Sequence, residues 1–138
     1  MSDQFLTLTY EIGDAREIRR EFEGRAEDLR QALGEALWTE AEIEMTESKM
    51  LVPVDTGALR DTGKVDRLEF TPEGIEVVLK FGGLAPNGTL VDYAAAVHED
   101  AEMFHDDGQA FFLSSVLDDS ADDMLGRVAA RVREILNG

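Results

Sequence analysis

Leu51-Val52-Pro53-Val54-Asp55-Thr56-Gly57-Ala58-Leu59-Arg60-Asp61-Thr62-Gly63 separates a charged, helix-like half of the chain from a strand-like one. Proline lacks an amide hydrogen and disfavours helical geometry in the residue before it. A helix reaching this stretch therefore ends near Leu51, with Val52 extended. Asp55 and Thr56 are N-cap types, able to bind the first amides of a short turn through Gly57, Ala58 and Leu59. Asp61-Thr62-Gly63 is a second turn signal, so the segment is expected to be a stiff corner between helix and sheet.

On the helical side, residues 25–50 carry Ala26, Leu29, Leu33, Ala36, Leu37, Ala41 and Met45 at steps of three and four, one apolar stripe of a long helix. Trp38 and Ile43 lie off the stripe. Trp38 reads as the flank of the core or, where exposed, as an interface aromatic. Glu35, Glu40, Glu42, Glu44 and Glu47 predict an acidic, solvated opposite side. Upstream, residues 5–23 predict a strand with Leu6, Leu8, Tyr10 and Ile12 on one face. A short helix follows, its buried edge made by Ile18 and Phe22.

On the strand side, residues 64–81 predict a hairpin turning at Thr71-Pro72-Glu73-Gly74. Ile75, Val77, Leu79 and Phe81 form an apolar face for the long helix to cover. Residues 82–88 are too rich in Gly, Pro and Asn to be other than loop, and they lack the Lys-Ser/Thr ending of a phosphate-binding loop. Val91 to Val97 is ambiguous and is read as strand or extended edge. An acidic loop is expected at 99–107, with His98 and His105 among its acids. It has neither the second histidine of a zinc protease nor the spacing of an EF-hand. Residues 109–136 predict a second long helix with Leu113, Leu117, Ala121, Met124, Val128, Val132 and Ile135 inward and Gly126 at a bend or close contact. The expected fold class is α+β: one domain over 1–138, a small mostly antiparallel sheet packed against two long amphipathic helices.

The formal charge of −17 over 138 residues repels DNA and anionic membranes, since phosphate binding needs clustered Lys and Arg. A chain of this length buries about 70% of the surface it exposes when unfolded. There is no cysteine for a disulfide or a thiolate site. The first residues lack the basic and apolar regions of a signal peptide, and no apolar run approaches a membrane span, so a soluble protein is expected. No residue pattern assembles an activated nucleophile. Neither catalysis nor a cofactor or metal is expected.

Val52-Pro53-Val54-Asp55-Thr56-Gly57-Ala58-Leu59-Arg60, at the end of a long charged helix, resembles the tail-completion and head–tail joining proteins of tailed bacteriophages, often described as minor capsid or minor tail proteins. A second match follows in the same order, Asp92-Tyr93-Ala94-Ala95-Ala96-Val97-His98-Glu99 and then Gly108-Gln109-Ala110-Phe111-Phe112-Leu113. Phe111 stands where relatives often carry Lys, and the loop at 99–107 varies among them. The resemblance covers roughly residues 25 to 120 and implies a virion structural protein at the neck. There it would form a cyclic homo-oligomer of six copies, between the portal or connector proteins and the tail-tube protein, with genomic DNA passing through without specific binding. Met103, Phe104 and Trp38 are its candidate partner-docking residues, and Glu40, Glu44, Glu47 or the acidic loop would line the lumen. The alternatives are a minor capsid protein elsewhere on the particle and, from another class, an acidic DNA mimic or inhibitor.

Overall fold

A computed structural model describes residues 6–12, 16–53, 57–71, 74–100 and 111–138. The long helix α2 (Ala26–Leu51) stops where Pro53 dictates, and Val52 leaves it extended at φ −66°, ψ 132°. The corner then makes one short helix, α3 (Ala58–Asp61), entered through Gly57 at φ +81°, a left-handed conformation that glycine adopts without a Cβ penalty. Val54, Asp55 and Thr56 lie outside the described residues.

Strands β2 (Lys64–Thr71) and β3 (Gly74–Phe81) form the expected hairpin, and β1 (Leu6–Ile12) pairs antiparallel with the other edge of β3. The sheet order is thus β1-β3-β2, with a register shift between Val65 and Arg67. Ile75, Val77, Leu79 and Phe81 are all buried, as their alternation requires. A short helix, α1 (Arg16–Glu21), contributes Ile18 to the core, with Phe22 just beyond it. Helix α2 lies against β2 and β3, and α5 (Ser114–Asn137) packs along α2. The fold class is therefore α+β, with two long helices packed with a small antiparallel sheet.

Two expectations fail. Val91 to Val97 is not an extended edge: β4 (Gly83–Leu84) and β5 (Leu90–Val91) form a minimal ribbon, and Ala94–Glu99 is helix α4. Three consecutive alanines, the best helix formers, outweigh a short apolar run whose period is undetermined. The last helix begins at Ser114 rather than 109. Phe111, at φ +54°, occupies the left-handed region just before it, which ends any helical run from upstream.

The distance between α2 and the sheet is set by two glycines. A Cβ on Gly34 would meet Phe70 Cζ at 2.9 Å, and Phe70 is exposed enough to move aside. A Cβ on Gly63 would meet Phe81 Cε1 at 2.5 Å, Lys49 Cε at 2.9 Å and Met45 Sδ at 2.9 Å, and Phe81 is fully buried. Gly126 is the opposite case: among the described residues nothing beyond its own helix lies within 4 Å of its Cβ position, so no close contact there accounts for it. Gly63→Ala is accordingly expected to destabilise the fold by about 2 kcal/mol through overpacking. Gly126→Ala should stabilise it by up to about 1 kcal/mol through helix propensity. Urea denaturation of the two variants checks both signs.

Candidate functional site

The corner that follows the first sequence motif and the second motif both reach Phe81. From the first, Val52 and Leu59 are buried, Pro53 and Gly57 half-buried, and Arg60 exposed beside Asp61 at 4.0 Å. Thr62 follows directly. Its hydroxyl donates to the Leu59 carbonyl at 2.6 Å and accepts from the Gly82 amide at 2.8 Å, tying the corner to the end of β3. From the second motif, Ala94, His98, Phe112 and Leu113 are buried, while Tyr93 and Glu99 are exposed. Gly108 and Ala110 lie outside the described residues. Phe112 packs edge-on against Phe81 with centroids 5.0 Å apart, and His98 edge-on against Phe112 at 4.9 Å. Phe81 is also the ring that Gly63 must clear, so the corner and the second motif share it.

His98 was expected at the start of an exposed acidic loop, and this is corrected: it closes α4 and is 1% exposed. Its Nε2 accepts the Ser114 amide at 3.2 Å, which leaves the ring proton on Nδ1. Glu99 Oε1 lies 3.3 Å from Nδ1 but outside hydrogen-bond geometry, so among the described residues Nδ1 is buried without a hydrogen-bond partner. The His98 carbonyl accepts the Phe111 amide at 2.7 Å, and the Phe112 carbonyl accepts the Ser48 hydroxyl at 2.9 Å. One imidazole and one serine thus fasten α4, the start of α5 and the end of α2 together. Burial pushes the pKa of His98 below its usual 6.5, and the Glu99 carboxylate offsets this only in part.

A second polar cluster lies between α2 and α5. Glu40 and Glu44, expected on a solvated face, are each 3% exposed, so both leave the set of lumen candidates; Glu47 remains exposed. Glu40 accepts from Arg127 Nε at 2.6 Å and from Arg131 Nε at 2.7 Å, and Glu44 accepts the Ser120 hydroxyl at 2.7 Å. Burial alone would raise the pKa of Glu40; hydrogen bonds and charge from the two arginines outweigh it and hold the carboxyl below its usual 4.5. These side chains border a groove of about 370 Å³. An ionised carboxylate already saturated by two guanidinium groups is a structural clasp and a poor proton acceptor.

The sequence did carry a sign of this seam. Glu40, Glu44 and Ser48 recur every four residues, as do Arg127 and Arg131 four apart on the facing helix. Trp38 is 37% exposed, at the margin of the core. Met103, Phe104 and His105 lie outside the described residues. Among the described residues no cluster of His, Asp and Glu could hold a metal, and no helix is long and apolar enough to cross a membrane. Compared with protein-family models, curated proteins and solved structures, the chain matches none.

Glu40→Gln should cost about 2 kcal/mol in urea denaturation at pH 7. This is less than the roughly 3–5 kcal/mol of fully buried pairs, because the two arginines are 38% and 35% exposed. Acid should act in two stages. A histidine with a depressed folded pKa stabilises fully above its unfolded value, so stability falls first as pH drops below 6.5. The Glu40 contribution is complete above 4.5 and is lost as pH falls through its lowered value. His98→Asn, which keeps His105, should remove the first stage from the pH–stability curve and leave the second.

Proposed function

We propose that the protein is a virion structural protein of a tailed phage or phage-like particle. It acts at the neck as a head–tail connector, tail-completion or tail-terminator ring between the portal assembly and the tail tube. The observation that carries this reading is the ordered pair of motifs, Val52 to Arg60 and then Tyr93 to Leu113. Its support from the fold is that buried residues of both motifs belong to one core, with His98 and Phe112 of the second packed at Phe81 beside the corner that follows the first. On this reading Val52, Leu59, Ala94, Phe112 and Leu113 are framework, whereas Arg60, Tyr93 and Glu99 stand at the surface.

The working form is a closed ring of six copies, through which DNA passes without specific binding. A surface of net charge −17 repels the phosphate backbone, and Glu35, Glu42 and Glu47 are exposed acids of α2. Each copy presents two different patches, since ring closure requires head-to-tail contacts.

Mutual repulsion between chains is long-ranged and is screened first, so association should strengthen as salt rises from low ionic strength. Mass measurement in solution should find a monomer when dilute and a ring at higher concentration or with tail-tube protein present. A monomer at every concentration and ionic strength, alone and with tail-tube protein, overturns the reading.

A further inference from the structure

The N-cap position of α5 is Leu113, whose side chain carries no acceptor. The first amide of the helix, that of Ser114, is taken instead by a ring from another element, His98 Nε2 at 3.2 Å. The Phe111 amide, just upstream, donates to the carbonyl of the same histidine at 2.7 Å. His98 therefore ends α4 and caps α5 at once, with Phe112 edge-on against its ring.

Only a neutral ring can do this. Accepting at Nε2 places the single proton of neutral imidazole on Nδ1. A second proton has only Nε2 to go to, and that lone pair is held by the Ser114 amide. Protonation in place would set N–H against N–H. It would also bring positive charge to the N-terminus of a 24-residue helix, where the macrodipole disfavours it. Among the described residues, Glu99 is the one charge that favours the cation; it lies 3.3 Å from Nδ1 with its side chain 63% exposed. The elements packed around the ring add little. From α5, residues 111–117 are uncharged. From α2, Ser48 donates to the Phe112 carbonyl, and Lys49 reaches toward Gly63. From β3 the neighbour is Phe81, and Lys80 alternates to the other face of the sheet. In β1, Leu6 pairs with Phe81, and Glu11 lies roughly 16 Å further along the strand. Asp92 before α4 is exposed, and Asp100 follows its last turn.

We propose that His98 is a proton-operated latch: a proton added at Nε2 detaches α4 from the first turn of α5, while the Glu40 clasp holds α2 and α5 together. The two fastenings respond to acid over different ranges. The latch weakens as pH falls below 6.5, because the open junction takes the proton more readily than the closed one. Glu40 stays ionised until pH falls through a value below 4.5, since both arginines favour its carboxylate. Between these limits the junction opens with the pair of long helices intact. The latch is a property of a single copy and does not depend on the ring reading.

The test is amide hydrogen exchange of the full chain read by NMR, corrected for the effect of pH on the intrinsic rate. From about pH 6.5 to about pH 5.5, protection of the Phe111 and Ser114 amides should fall several-fold, with about tenfold per pH unit as the ceiling, while amides around Val128 keep theirs. His98→Gln, whose side-chain oxygen accepts a hydrogen bond without titrating, should make Ser114 protection independent of pH in this range. His105→Gln should leave the response in place. Protection lost equally around Val128 means global unfolding and overturns the latch, as does wild-type protection at Phe111 and Ser114 that ignores pH. A response kept in folded His98→Gln, or absent from His105→Gln, overturns the assignment to His98. Should His98→Gln not fold, the wild type and His105→Gln decide between these outcomes.

Discussion

Phe81 is the ring around which the other elements are placed. It is fully buried at the end of the central strand; two features are fixed against it and a third against one of those. Gly63 lets the corner pass at a distance that admits no side chain. Phe112 meets it edge-on at the approach to α5, and His98 meets Phe112 edge-on in turn. An apolar ring imposes geometry through shape alone, so it can be approached from several elements without leaving a polar group unsatisfied. The polar work is done one shell out: the Thr62 hydroxyl bridges Leu59 and Gly82, Ser48 takes the Phe112 carbonyl, and His98 takes the Ser114 amide. Phe111 is held at positive φ by this arrangement. Its amide donates to His98 and its carbonyl accepts from Ser115, so the αL conformation is over-determined by its neighbours.

Between α2 and α5 the constraint is electrostatic. Two apolar stripes that repeat every turn would tolerate a one-turn slip with modest loss of packing. A buried carboxylate does not tolerate it, because the slip would leave Glu40 away from water without Arg127 and Arg131. The seam thus fixes register, and its net contribution to stability is smaller than its short distances suggest.

The parts of the fold legible in the sequence are those governed by period and by punctuation. Pro53 placed the end of α2, the alternation from Ile75 to Phe81 placed the central strand, and Ile18 with Phe22 placed the inner edge near α1. The misread parts are those where tertiary partners decide. Glu40 and Glu44 look solvated when α2 is considered alone and become buried only because α5 supplies arginine and serine. His98 looks like part of an acidic loop until Ser114 and Phe112, far along the chain, are brought to it. Ala94 to Ala96 was decided by local propensity, a signal available in the sequence and outweighed there by the apolar run. Gly126 was expected to serve a close contact or a bend, and among the described residues no close contact uses it.

The distribution of charge bears on how copies could meet. Folding does not call for so much acid: in the sheet register Glu76 stands opposite Glu69, like charges that cost stability where they face each other. Much of the positive charge is committed within the chain, Arg127 and Arg131 to Glu40, Arg133 to Glu21, Arg67 to Asp66 and Glu69. What remains facing outward is therefore mostly negative, and acid against acid repels. Two-fold pairing of identical acidic faces is disfavoured on that ground, because an isologous contact brings each surface against itself. Contact is favoured where surfaces of unlike charge meet, and such a contact necessarily joins two different surfaces. Such a contact propagates from copy to copy, and whether it closes into a ring or runs on as a filament depends on the angle between the two surfaces within one subunit. For surfaces carried by α2 and α5, that angle is held by the packing that Glu40, Arg127 and Arg131 keep in register.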